Sequence, residues 1–299
     1  MHKDILVSVI TPTYGRSDYL KRAIDSVLSQ THEKIELIVI NDNIPGSEED
    51  IKTENLLKSI KDKRLKPIHT SGKTGGGAAR NFGLKECTGE YIAFLDDDDR
   101  FLPDKIETQL DFTISNNLDM SYQDVQWLNE NEKLVEYRKH DRVTDFSKEG
   151  LMRTHLMVSI APTSIYMIKR RAMTEDTVFG EVPRGQDFYF MVNCIQAGLK
   201  IGYMPGAHVV QYLHEGERIS VGPKFVKNVT EEFADKKRLA QGLLTKKELR
   251  FMDFRLNCIC GFACLRGHEK KKALPYFVKA FIFSPKDSFK EAYRYFRRH

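Results

Sequence analysis

The sequence contains no apolar run near the ~20 residues that a membrane-spanning helix requires. Proline and glycine are scarce, at 10 and 19 residues of 299, which removes the collagen-like and low-complexity classes. Met1-His2-Lys3-Asp4 leads into the six-residue apolar run Ile5–Ile10, too short for a secretory signal and without a small-residue cleavage site. The expected location is therefore cytoplasmic. Cysteine is also sparse, and its count of five is odd, so a disulfide framework is not expected. Cys258, Cys260 and Cys264, with His268 nearby, match no standard zinc spacing and read as small core residues of a helix.

What is present is an ordinary globular composition, 41% apolar and 30% charged, at a length that suits about two domains. The net charge of +5 hides an asymmetry. Residues 224–299 carry 19 Lys or Arg against 8 Asp or Glu, whereas the first 223 residues carry 28 against 34. The expectation is a body over 1–223 and a basic helical region over 224–299 that meets an anionic surface.

Apolar runs of strand character alternate with helix-period segments through the first third. Strands are expected at Ile5–Ile10, Ile35–Ile40, Leu65–His69 and Tyr91–Leu95, and helices at 18–30, 48–60 and 77–87, with Pro103 opening a fourth. Four such repeats imply a mainly parallel sheet flanked by helices. Ligands gather beyond the C-terminal strand ends of such sheets. That rule selects the loops Thr11–Arg16, Asn41–Gly46, Thr70–Gly76 and Asp96–Arg100, all rich in polar, acidic or glycine residues. The middle third is less regular, with a strand expected near 163–168 and a helix over 188–197.

Asp96-Asp97-Asp98-Asp99 directly follows the fourth strand. One Asp suffices to cap a helix, and four in a row repel unless a cation sits among them. A hard divalent ion, Mg²⁺ or Mn²⁺, fits this chemistry. Thr70–Gly77 superficially suggests a phosphate-binding P-loop, but Pro67 stands where that pattern needs its first glycine.

Four segments in order, Val7–Arg16, Ile40-Asn41-Asp42, Ala79–Gly83 and Phe94–Asp99, resemble the signatures of family-2 glycosyltransferases of the GT-A fold. The resemblance implies a nucleotide-binding half over 1–118 and an acceptor-binding half over 119–223. It implies that Thr11 and Pro12 touch the donor through backbone, that Tyr14 packs on the base, and that Arg16 belongs to the same donor loop. Asp42 is then an acceptor for a uracil or thymine imide, which favours a UDP-sugar or dTDP-sugar. Gly76 lets the donor approach closely, and Arg80 pairs with the acidic loop or the diphosphate. Asp96 or Asp97 holds the ribose and Asp98 the metal, with a register uncertain by one.

Arg184–Phe190 is similar to the family's Glu-Asp helix start, with Gln186 in place of the Glu and Asp187 at the position of the catalytic base. Tyr212–Ser220 is similar to a segment that closes over the diphosphate, and His214 matches its phosphate- or metal-binding His. Tyr212 stands where relatives carry Arg. The expected activity is inverting, metal-dependent transfer of a hexosyl or N-acetylhexosaminyl group to a saccharide or lipid-linked saccharide in surface glycan biosynthesis. The rivals are a non-catalytic saccharide-binding protein or scaffold and a sugar nucleotidyltransferase. In the tail, Phe289, Ala292, Tyr293 and Phe296 share a helical face among basic residues, which suits either the inner face of a membrane or a helix packed on the protein with its basic side in solvent. No aromatic-basic pattern supports nucleic acid.

Overall fold

The fold is that of a computed structural model, which describes residues 2–182, 184–213 and 222–298, with the side chains of 223 and 294–298 left aside. The chain divides into two compact units, Met1–Lys148 with Ile160–Leu213, and Glu149–Ser159 with His214–His299.

The first unit is an α/β domain. It opens β1 (Val7–Thr13), α1 (Ser17–Leu28), β2 (Ile35–Asn41), α2 (Glu48–Ser59), β3 (Leu65–His69), α3 (Gly76–Glu86) and β4 (Tyr91–Phe94). These four strands pair in parallel, in the order β3-β2-β1-β4. β1 and β2 lie in the sheet interior and are apolar on both faces, as a strand covered on both sides must be. α1 buries Leu20, Ala23, Ile24 and Val27, a stripe at helical spacing. Ser47 caps α2 by accepting the Asp50 N–H at 3.2 Å. α3 starts one residue before its expected position, and Pro103 lies in the turn before α4 rather than in its first turn.

The remainder is β5 (Arg100–Phe101), α4 (Lys105–Ser115), β6 (Met120–Asn129), β7 (Leu134–Arg138), β8 (Met167–Lys169), α6 (Gln186–Gln196) and β9 (Ile201–Leu213); α5 (Lys148–Met157), which precedes β8 in the chain, belongs to the second unit from Glu149 onward. β8 inserts antiparallel between β4 and β6, and β9 runs parallel to β6. The sheet is thus parallel through its first half and mixed through its second. The segment near 163–168 is a short 3-10 turn, Thr163–Ile165, that leads into β8. Phe94, Phe179 and Phe190 pack behind β4, the last two with rings stacked 4.1 Å apart.

At the N-terminal end of the sheet, Glu36 is buried in β2. Its carboxylate accepts from Ser8 Oγ at 2.5 Å, Lys66 Nζ at 2.5 Å and the Thr88 N–H at 2.6 Å. Burial alone would push this acid up, but the donors from Lys66, Ser8 and Thr88 hold it down at about 2.

In the second unit, α7 (Gly222–Leu239) precedes α8 (Lys246–Arg266), α9 (Lys270–Phe283) and α10 (Pro285–Arg298). Thr245 and Glu248 form a reciprocal capping box at the start of α8. Arg153 of α5 binds Glu248 at 2.7 Å and the Leu243 carbonyl at 2.8 Å. α9 packs on α8 closely enough that a Cβ at Gly261 would lie 2.8 Å from the Phe277 ring. Cys258, Cys260 and Cys264 are buried on α8 and form no disulfide, and burial pushes the Cys258 thiol up to about 12. Among the described residues no group of three or more His, Cys, Asp or Glu is arranged to hold a metal.

Candidate active site

The C-terminal ends of β1, β2, β3 and β4 deliver the four loops selected from sequence to one edge. β1 ends in Thr11, Pro12 and Thr13, with Thr11 buried. Tyr14 projects from the loop and is 45% exposed. The following turn is fixed by the Gly15 N–H, which donates to Asn43 Oδ1 at 2.7 Å. Asn43 is itself buried and tied to Asn41 and Thr53.

Asp42 is buried at the end of β2 and organises the third loop. Its Oδ1 accepts from Thr70 Oγ1 at 2.5 Å, Thr74 Oγ1 at 2.7 Å and the Thr74 N–H at 3.0 Å. Among the described residues its Oδ2 accepts the Gly75 N–H alone, at 2.9 Å. The carboxylate also stands at the N-terminus of α3, where the helix dipole favours it. The glycines of this loop serve close approaches within the chain. A Cβ at Gly72, whose φ is +88°, would meet the Ile44 backbone at 2.8 Å, and one at Gly77 would meet the Gly180 carbonyl at 2.4 Å. Gly76 lies against Gln186 and Arg80.

The four aspartates after β4 diverge. Asp96 pairs with Arg80, whose Nη1 also donates to Gln186 Oε1 at 3.2 Å and the Gly76 carbonyl at 3.1 Å. Asp98 pairs with Arg16, which also lies 3.6 Å from Asp97. Asp97 and Asp99 are buried, at 5% and 3% exposure. Burial and then the neighbouring Asp98 push Asp97 up to about 7, with Arg16 pulling the other way. Asp99 turns inward, where its Oδ2 accepts from Gln211 Nε2 at 3.0 Å and Ser164 Oγ at 3.3 Å. Burial, with Asp96 and Asp98, raises it well above the usual carboxylate range. Burial also works against the Arg16 charge, but Asp98, Asp97 and Asp96 outweigh it and raise its pKa.

Asp187 sits in the first turn of α6, behind the left-handed N-cap Gly185 at φ +79°. It accepts the Phe188 N–H at 2.9 Å and is half-buried. Gln186, the residue before it, accepts from Arg80, which pairs with Asp96, so the start of α6 and the acidic loop meet at Arg80. Arg16, Asp97 and Asp98 form a second, adjoining cluster, and Asp42 with the Thr70–Gly75 loop a third. His214 lies outside the described residues.

Several residues of the site have no local sequence signal. The Arg22 guanidinium lies 3.5 Å from the Tyr212 ring centre and donates to the Asp98 carbonyl at 2.6 Å. Arg100 approaches the same ring at 5.9 Å, and Tyr212 Oη donates to Glu132 at 2.5 Å. Tyr212 is thus flanked by cations from α1 and β5. Asn43, Gln211 and Ser164 act across 28 to 112 residues of sequence, beyond the reach of any short motif.

The donor chemistry fits a hard divalent cation. Such an ion takes one or two carboxylates and completes its shell with phosphate and water. Asp98 and Asp96 are the more accessible of the four, with side chains 17% and 29% exposed. A closed all-protein cage finds no support among the described residues.

Residues 8–178 match the model of glycosyl transferase family 2, and the chain belongs to that family. An uncharacterized glycosyltransferase of Rickettsia bellii is 46% identical over 134 residues, 45% of this chain and 19% of that protein. The Escherichia coli UDP-Glc:alpha-D-GlcNAc-diphosphoundecaprenol beta-1,3-glucosyltransferase WfgD is 32% identical over 141 residues, 47% of this chain and 54% of WfgD. The chain thus spans between a fifth and about half of the length of these relatives. The crystal structure of S. aureus TarS 1–349 in complex with UDP-GlcNAc superimposes with a TM-score of 0.59 at 16% identity, covering 92% of this chain and 91% of that one.

Proposed function

We propose that the protein is an inverting, metal-dependent glycosyltransferase that moves a sugar from a UDP-sugar or dTDP-sugar to a saccharide or lipid-linked saccharide acceptor. The observation that carries this reading is Arg80, which pairs with Asp96 and donates to Gln186, the residue before Asp187. It supports reading Asp187 as the base beside a carboxylate loop suited to a cation. The names of WfgD, a glucosyltransferase acting on a lipid-diphosphate acceptor, and of TarS with UDP-GlcNAc support the same chemical class.

Thr11, Pro12 and Tyr14 form the base-binding wall, where a flat ring offers stacking area at low entropic cost. Asp42 keeps capacity on Oδ2, which carries a single hydrogen bond among the described residues, and accepts the imide N–H there. Asp96 or Asp97 takes the ribose hydroxyls, and Asp98 is the metal ligand. A bound Mg²⁺ or Mn²⁺ supplies Lewis-acid stabilisation to a departing diphosphate. Arg16 and Arg80, the cations paired with this loop, exchange part of their carboxylate pairing for phosphate as the donor enters.

Asp187 removes the proton from the acceptor hydroxyl as that oxygen bonds to the anomeric carbon. The bond from that carbon to the diphosphate breaks on the opposite face, which inverts the centre. His214 remains part of the proposal as a phosphate or metal contact.

A screen of nucleotide-sugars for turnover with Mn²⁺ or Mg²⁺ tests the reading. At least one donor is expected to release nucleoside diphosphate, and Asp187→Asn is expected to lower kcat by about 10² to 10⁴. Full turnover in Asp187→Asn would remove that residue as base. A protein that binds saccharide without turning over any donor would favour a binding or scaffold role.

A further inference from the structure

The second unit presents a joined apolar face that its described residues leave open. On α9, Leu274, Val278, Phe281 and Ile282 fall within about 100° of the helix circumference, at about 100° per residue. They are between 47% and 65% exposed, while Ala273 and Ala280, on the other side of the helix, are buried. On α10, Phe289 and Tyr293 are 69% and 67% exposed. The Phe281 and Phe289 rings meet edge to face at 5.8 Å, which joins the two rows into one surface. Single exposed apolar side chains are ordinary, but six large ones on one continuous face mark an interaction surface.

Positive charge predominates in this stretch of the sequence. Residues 270–298 carry nine Lys or Arg against two Asp or Glu. Lys270, Lys279, Lys286 and Lys290 are exposed, whereas Asp287 and Glu291 are partly buried, and Asp287 is bound to Ser284 Oγ at 2.6 Å. A second copy of the chain would set like charges against each other. A nucleic acid would meet the lysines and leave the aliphatic row in water. Among the described residues no helix is long and apolar enough to cross a membrane.

We propose that the α9–α10 face binds the surface of an anionic lipid bilayer, with Leu274, Val278, Phe281, Ile282, Phe289 and Tyr293 entering the acyl boundary and the lysines meeting headgroup phosphates. The proposal deepens the lipid-linked acceptor reading. It does not use the donor site, so the two fail separately.

The test is co-sedimentation of the full chain with phosphatidylcholine vesicles, with and without phosphatidylglycerol, at low and high salt. Binding is expected only with the anionic lipid and is expected to weaken with salt. The double variant Phe281→Ser/Ile282→Ser is expected to lose at least tenfold in partitioning, as is Lys279→Glu/Lys290→Glu. Asp187→Asn is expected to partition like the parent chain. Phe289→Trp, a milder change, is expected to blue-shift its emission on anionic vesicles, which keeps the proposal testable if a serine variant misfolds. Absence of binding by the parent chain would overturn the proposal, as would partitioning indifferent to both double variants. A dimer that Phe281→Ser/Ile282→Ser abolishes, together with an unshifted Phe289→Trp spectrum, would assign the face to self-association instead.

Discussion

The two ends of the parallel sheet treat buried carboxylates in opposite ways. Glu36, at the N-terminal end, collects donors from Ser8, Lys66 and Thr88 and is held down at about 2. Asp97, at the C-terminal end, is as deeply buried but stands among three other aspartates and is pushed up to about 7. A satisfied buried acid stabilises a fold. An under-compensated one costs stability, and clusters of such groups mark functional sites more often than structural ones. The difference separates an end of the sheet whose buried acid is satisfied from the end where the donor site is proposed.

The sharpest way to break this comparison is at Asp98. Asp98→Asn is expected to lower metal-dependent turnover by roughly 10³ and to leave the melting temperature within a few degrees of the parent, a charge-stabilisation loss of the size seen when one such group is removed. A large loss of stability with turnover preserved would reverse the two ends.

Glu36→Gln is expected to do the opposite, with destabilisation of roughly 3 kcal/mol, the value of a shift from 4.5 to about 2. Turnover per folded molecule should be unchanged. The sign in pH follows from which state binds the proton first. The unfolded chain protonates Glu36 near 4.5, so its contribution is complete above that pH and is lost progressively down to about pH 2. Acid unfolding of the parent and variant, followed by circular dichroism, should converge toward the bottom of that window.

Arg22→Ala removes the cation stacked on Tyr212 and the donor to the Asp98 carbonyl. The expected result is a loss of about 1–3 kcal/mol of transition-state stabilisation, read as a lower kcat/KM, with Arg22→Lys recovering part of the charge but not the stacking. Smaller still, Asp97→Asn relieves one like charge, so in a chelating buffer its melting temperature should match or exceed that of the parent while donor affinity falls. Unchanged donor affinity would remove Asp97 from the site. Gln186→Glu should have the mildest effect. It sets a second carboxylate near Arg80 in competition with Asp96, and a few-fold change in KM is expected, measured against both donor and acceptor.

The first half of the fold was legible because its signals are local. Strands apolar on both faces, helices with a single stripe and polar loops at strand ends occur in contiguous stretches. The mixed second half was not. β6 and β9 carry Gln123, Asp124, Gln126 and Gln211 among apolar residues, so neither alternates cleanly, and the Pro205-Gly206 pair interrupts a 13-residue strand. Their polar groups are satisfied across the sheet: buried Asp124 accepts from Tyr203 Oη at 2.8 Å and the His140 N–H at 2.8 Å. Such partners are invisible in a window of ten residues. The site shows the same divide. The acidic run was evident as a run, but which aspartate faces inward depends on Arg16, Arg80, Ser164 and Gln211, which lie 16 to 112 residues away. The organising role of Asp42 likewise appears only once Thr70, Thr74 and Gly75 fold back onto it.

The account stands on the C-terminal edge of the sheet being a cation-dependent nucleotide site. Calorimetric titration of UDP into the protein with Mn²⁺, repeated with chelator and with Asp98→Asn, tests that claim most directly. The account predicts saturable heat with metal, loss of at least tenfold in affinity on chelation, and no metal dependence in the variant. Metal-independent binding of equal strength in parent and variant would contradict it.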